Sequence, residues 1–198
     1  MHESVQKLIQ IEKLVKSKDS DLKKITIIAI SKTFKLEKIF PLIDYGHLDY
    51  GENKVQEALD KWSDIKSKKP DIKLHLVGKL QNNKVKFAVK IFDFIHSVDT
   101  KKLAKKIADE ELKLKKKIKI FIQVNIGNEN QKSGVNKEEL EELFLYCKSL
   151  NLDVIGLMCL PPANHDPDPF FRELNILNKK LNLTELSMGM SSDYVKAI

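Results

Sequence analysis

Two hydrophobic periods alternate along the chain. Residues 25–31, ITIIAIS, are nearly continuous and β-branched, with no in–out alternation. That pattern suits a parallel strand buried on both faces. Residues 36–45 then carry a helical period that stops at Gly46, a C′ glycine. The alternation repeats, with strands predicted at 47–51, 73–78, 94–98, 118–126, 153–160 and 183–188. Helices are predicted at 53–66, 82–91, 100–114, 136–149 and 169–181, and another begins in SSDYVKAI. Asp99 or Thr100 is placed to cap the helix after the fourth strand. Ahead of the first strand, Val5, Leu8, Ile9, Ile11, Leu14 and Val15 fit an amphipathic helix.

Strand followed by helix, seven times over with short connections, requires a parallel α/β architecture. A doubly wound open sheet and a (β/α)8 barrel both satisfy it, and the number of units favours the barrel. Seven strands are one short of the eight that abolish a barrel's edges. The expectation is therefore a TIM-type (β/α)8 barrel over residues 1–198, one domain, lacking the eighth strand and the final helix.

In such a barrel the chemistry collects at the C-terminal ends of the strands. Lys32 follows the first strand directly. It has two readings: a lysine snorkelling off a strand end, or an amine kept neutral by a desolvated pocket and able to attack an aldehyde. Ser187-Met188-Gly189-Met190-Ser191 follows the last strand. There, backbone N–H groups and a helix dipole can hold a phosphate, with Gly189 allowing close approach; the alternative is an ordinary turn capped by Ser191 or Ser192. Asn53 begins the second helix, as a cap or as a pocket residue. His75 lies inside the third strand and reads as a satisfied core histidine.

Composition changes little in this picture. The net charge of +7 and pI near 9.2 come from scattered lysines with no aromatics interleaved, so solvated helix faces explain them better than a nucleic-acid partner. Cys147 and Cys159 form neither a disulfide framework nor a metal spacing, which fits reduced thiols in the cytoplasm. His47, His96 and His165 make no ligand-spaced cluster, and no metal site is expected. The N-terminus has no apolar signal region, and no apolar stretch is long enough to cross a membrane.

Several pieces, in order, carry a resemblance: Ala29-Ile30-Ser31-Lys32-Thr33, Gly51-Glu52-Asn53-Lys54-Val55-Gln56-Glu57, the run from His75 to Lys84 (HLVGKLQNNK), Gln123-Val124-Asn125-Ile126, Lys132-Ser133-Gly134-Val135, Gly156-Leu157-Met158, and Ser187 to Ser191. The chain resembles the pyridoxal phosphate homeostasis proteins, small cytoplasmic barrels of the alanine racemase N-terminal type. The resemblance implies pyridoxal 5′-phosphate held as a Schiff base on Lys32, with Met158 near its ring and Asn53 lining the pocket. It also implies that Ser187, Gly189 and Ser191 help hold the phosphate and that Lys132 faces the cofactor oxygen. It further implies a monomeric carrier or regulator, not a turnover enzyme, with apo-enzymes as possible recipients and no nucleic-acid or membrane partner. The alternatives are a racemase-like enzyme and a degenerate relative with weakened cofactor binding. Family members continue with Arg-x-Gly followed by Thr or Ser, an apolar stretch and Phe-Gly; this chain ends at Ile198 without that segment, so an open edge is expected.

Overall fold

The computed structural model describes residues 1–18, 25–129 and 133–198. Its strands are β1 (Ala29–Ile30), β2 (Asp49–Glu52), β3 (Lys73–Leu76), β4 (Phe94–Val98), β5 (Lys119–Val124), β6 (Asp153–Cys159) and β7 (Glu185–Ser187). Its helices are α1 (Glu3–Lys18), α2 (Leu36–Tyr45), α3 (Val55–Lys68), α4 (Val85–Ile91), α5 (Lys101–Leu114), α6 (Leu140–Ser149), α7 (Asp168–Lys180) and α8 (Tyr194–Ala197). The strands pair in chain order, all parallel. Among the described residues no eighth strand joins β7 to β1.

The sheet curls. Flat, β4 and β7 would lie three ladder spacings apart, about 14 Å; instead the His96 and Ser187 side chains meet at 2.7 Å. The concave side holds inward side chains of the strands, and the convex side is covered by helices. Leu74, Leu76, Ile95, Ile120, Ile122 and Leu157 are fully buried, and Trp62 of α3 packs into the same core.

Local chemistry explains the element ends. Gly46, at φ 98°, closes α2 with its N–H on Ile43 O. Thr100, and not Asp99, caps α5: its Oγ1 accepts from Leu103 N at 3.3 Å. β6 and β7 approach so closely that a Cβ on Gly156 would lie 2.0 Å from Glu185 O. Asn178 of α7 ties this corner together, accepting from Leu157 N–H and donating to Leu183 O.

The first strand departs from expectation. The apolar run 25–31 predicts a strand buried on both faces, but β1 is two residues long and Ile30 is 43% exposed. The reason is topological: among the described residues β1 pairs with β2 on one side and with no strand on the other. A continuous apolar run records the fold's closed form, while burial is set by the neighbours actually present.

Candidate functional site

The turn after β1 carries Lys32. Ser31 N–H reaches Gly51 O at 2.9 Å, and Phe34 N–H closes the turn on Ser31 O at 3.2 Å. Thr33 sits at φ 63°, a left-handed conformation that a β-branched residue rarely adopts. Such strain persists only where surroundings over-determine it, and here α3 and β2 supply the hold. Glu57 Oε1 accepts Thr33 N–H at 2.5 Å. Lys61 Nζ donates to Ser31 O (2.7 Å), Glu52 Oε1 (2.8 Å) and Glu57 Oε1 (2.9 Å). Ser31 Oγ and Trp62 Nε1 also donate to Glu52 Oε1, a fully buried carboxylate. Burial works against charge on Glu57, yet the bonds from Lys61 and Thr33 hold its carboxyl below its usual range. Lys32 itself is exposed, and among the described residues no hydrogen bond or ion pair engages its amine. A cleft of about 600 Å³ behind the turn is lined by Phe34, Lys35, Lys54, Glu57 and Lys61 among others; Lys32 is not in its wall.

Across the open seam, β7 ends in Ser187. Its Oγ meets His96 Nδ1 at 2.7 Å. His96 Nε2 lies 3.0 Å from His75 Nδ1, and His75 Nε2 lies 3.0 Å from Asp49 Oδ1. Both imidazoles are buried, His75 stacked on Phe94 and His96 on Phe121. Burial first, and the neighbouring His75 second, push the His96 pKa well below the ordinary imidazole value.

The structure gathers the predicted residues into two groups. Ile30 is in register with Gly51, so Lys32 and Asn53 leave neighbouring strands at the same level. Met158 is in register with Ser187, and is buried. Gly189 follows at φ 85°, where an added Cβ would fall 2.9 Å from Ala197 Cβ. Two capping readings need correction. Asn53 does not cap α3, whose N-cap position is Lys54. Neither Ser191 nor Ser192 caps α8; that position is Asp193, whose Oδ1 accepts Met190 N–H at 2.5 Å. Ser191 is exposed. Lys132 lies outside the described residues. The sequence reading missed Glu52, Glu57 and Lys61 behind Lys32, where the i,i+4 spacing of Glu57 and Lys61 was an available signal. It also missed the pairing of His75 with His96, whose strands come into register through His75 and Phe94.

These residues fit an aldehyde-bearing phosphate: a free amine stands at one edge of the mouth, and a hydroxyl with a glycine turn stands at the other. The comparisons with known proteins identify the family. The family model "Alanine racemase, N-terminal domain" matches residues 11–197. The pyridoxal phosphate homeostasis protein of Aquifex aeolicus is 40% identical over 182 residues, covering 87% of this chain and 79% of the relative. That of Escherichia coli K12 is 31% identical over 187 residues, covering 88% and 79%. PipY of Synechococcus elongatus, solved with PLP bound, superposes with a TM-score of 0.83 at 32% identity, covering 94% of this chain and 92% of PipY. An alanine racemase of Clostridium difficile shares the fold at 13% identity and a TM-score of 0.68, covering 86% of this chain and 47% of the racemase. The chain belongs to the pyridoxal phosphate homeostasis proteins, a family built on the alanine racemase N-terminal barrel.

Proposed function

We propose that this protein binds pyridoxal 5′-phosphate through Lys32 and serves its cellular homeostasis as a carrier. The observation that carries the reading is the unengaged amine of Lys32 on a strained, braced turn at the strand end, in a fold whose relative PipY is solved with PLP bound. When bound, the cofactor supplies an aldehyde carbon. Lys32 would hold that carbon as a Schiff base; Asn53 would line the pocket, Met158 would lie near the ring, and Ser187, Gly189 and Ser191 would hold the phosphate. Lys132 is assigned to the cofactor oxygen on the resemblance alone.

A carrier is favoured over a racemase by where the imidazoles lie. Racemisation needs a second acid/base poised at the substrate, but His75 and His96 are buried, and their chain ends on the Ser187 hydroxyl and not on a free imidazole nitrogen. A carrier would pass its cargo to apo-enzymes in the cytoplasm, and on this reading acts as one monomeric domain. Among the described residues no helix is long and apolar enough to cross a membrane.

The test is an absorbance spectrum before and after adding the cofactor, then borohydride reduction and peptide mapping. A reduced tag on Lys32 is expected, and it should vanish in Lys32→Ala. A tag on another lysine overturns the assignment, and steady racemisation of L-alanine overturns the carrier reading. Sedimentation checks the monomer.

A further inference from the structure

The buried chain from Asp49 to Ser187 has a direction, and the direction follows from one end. A carboxylate accepts and cannot donate, so His75 Nε2 must carry the proton that reaches Asp49 Oδ1 at 3.0 Å. In a neutral imidazole the other nitrogen is then an acceptor, so His96 Nε2 must donate to His75 Nδ1. His96 Nδ1 is left as an acceptor, and the Ser187 hydroxyl must donate to it. No link has a second choice while both rings are neutral. The result at the mouth is a serine whose proton points inward, toward His96. Its lone pairs face outward, the wrong polarity for a phosphate.

One added proton reverses the two links beyond His75, while His75 Nε2–H still donates to Asp49. The Ser187 O–H proton passes to His96 Nδ1, the His96 Nε2 proton passes to His75 Nδ1, and the serine oxygen regains a proton from water at the mouth. His75 then carries two N–H groups and the positive charge, beside the carboxylate of Asp49. His96 stays neutral in its other tautomer, consistent with its burial between rings. Ser187 now accepts from His96 and points its own proton outward.

We propose that the Asp49–His75–His96–Ser187 chain couples capture of an anionic phosphate at the mouth to uptake of one proton, with Asp49, His75 and His96 as positioning residues that set the polarity of Ser187. This rests on the reading that a phosphate binds at Ser187. Other charged and titratable groups flank the chain, and on β3 Lys73 is in register with Asp49. His47, just before β2, places Nε2 2.9 Å from Asp49 O. From β5, Lys119 Nζ lies 5.8 Å from the Phe94 ring that stacks on His75. β6 contributes Met158, and on β7 Glu185, two residues before Ser187, is exposed. Asp49 is thus the carboxylate in direct contact with the imidazole pair.

The probe is pyridoxine 5′-phosphate, which keeps the phosphate but has an alcohol in place of the aldehyde, so Lys32 chemistry does not intervene. Between pH 7 and 9 a phosphate monoester is already dianionic, and its affinity should fall about tenfold per pH unit once a full proton is taken up on binding. In Asp49→Asn the amide can donate to His75 Nε2, so the chain can run toward Ser187 without an added proton. Its affinity should then change less than about twofold over the same range. An equal slope in the variant overturns the proposal. A second measurement uses the unmodified protein: ¹⁵N spectra of the imidazole nitrogens should show His96 protonated on Nε2 when ligand-free and on Nδ1 when the probe is bound. Binding without that exchange overturns this inference and leaves the cofactor reading intact. No binding of the probe or of pyridoxal phosphate at any pH overturns both.

Discussion

The two edges of the open sheet are braced by opposite chemistry. At the β1 edge the turn that carries Lys32 is held by charges: Lys61 bridges Ser31 O, Glu52 and Glu57. At the β7 edge Ser187 is held by neutral rings in series, His96 and His75, ending on Asp49. Both solutions answer the same problem. A strand with one neighbour has half the ladder of an interior strand, and β1 pairs through two residues only. Side chains reaching across from β2, α3 and β4 supply the missing constraint. The difference lies in their chemistry: the clamp is built on formal charges, whereas burial holds His96 toward its neutral form.

The largest break in this comparison is Glu52→Ala. Glu52 is 0% exposed and receives Ser31, Lys61 and Trp62 on one oxygen. Its loss takes one of two carboxylates from the Lys61 ammonium, whose side chain is 9% exposed, leaving Glu57 and Ser31 O, and removes the acceptor of Trp62 Nε1. Removing one partner of a buried pair costs about 3–5 kcal/mol, which urea denaturation should report. An unchanged midpoint would show that the clamp does not hold the β1 edge.

The two serines give a finer comparison. Ser31→Ala deletes a donor to a carboxylate, a bond worth about 1.5–3 kcal/mol, whereas Ser187→Ala deletes a donor to a neutral imidazole, worth about 0.5–1.5 kcal/mol. Denaturation of both variants at pH 8 should show the larger loss at Ser31. The reverse order would mean that the imidazole chain, not the ionic clamp, is the stiffer brace.

Much of this fold was legible in the period of the sequence, because a parallel α/β barrel repeats the same local pattern at every unit. Phe94–Val98 and Leu36–Tyr45 fall where the periods place them. What the chain could not reveal is whatever depends on strands being brought together. The burial of Ile30 depends on a neighbour that β1 lacks. The contact of His96 with Ser187 depends on the curl that brings β4 to β7. Lys32, Met158 and Ser187 could be picked out as strand-end residues, but nothing in a linear string says that Met158 and Ser187 share a register, or that a proton on Ser187 answers to Asp49.

The same two edges should separate by pH. His96 has a depressed pKa in the folded protein, so below about 6.5 the unfolded chain binds more protons than the folded one. Its contribution is complete above that value and is lost as pH falls toward the folded value. Glu57 is also depressed, but from the carboxylate range, so its contribution persists above about 4.3 and is lost as pH falls through the lower folded value. Between these limits, at pH 5.5, hydrogen exchange should rise first in peptides covering residues 94–98 and 185–190, while those covering 49–57 stay protected. Simultaneous loss in both would show that the braces are not independent.

The smallest expected effect concerns Lys32 itself. The turn around it is held by Ser31 O, Thr33 N–H and Phe34 N–H, all backbone groups. The lysine side chain is exposed and takes no part in the clamp. Lys32→Ala should therefore stay within about 0.5 kcal/mol of the parent in urea, as for surface positions away from special features, even as the covalent tag disappears. The two outcomes together separate the amine from the turn that presents it. A destabilisation as large as that of Glu52→Ala would place Lys32 inside the brace, and loss of the tag would then report unfolding and not chemistry.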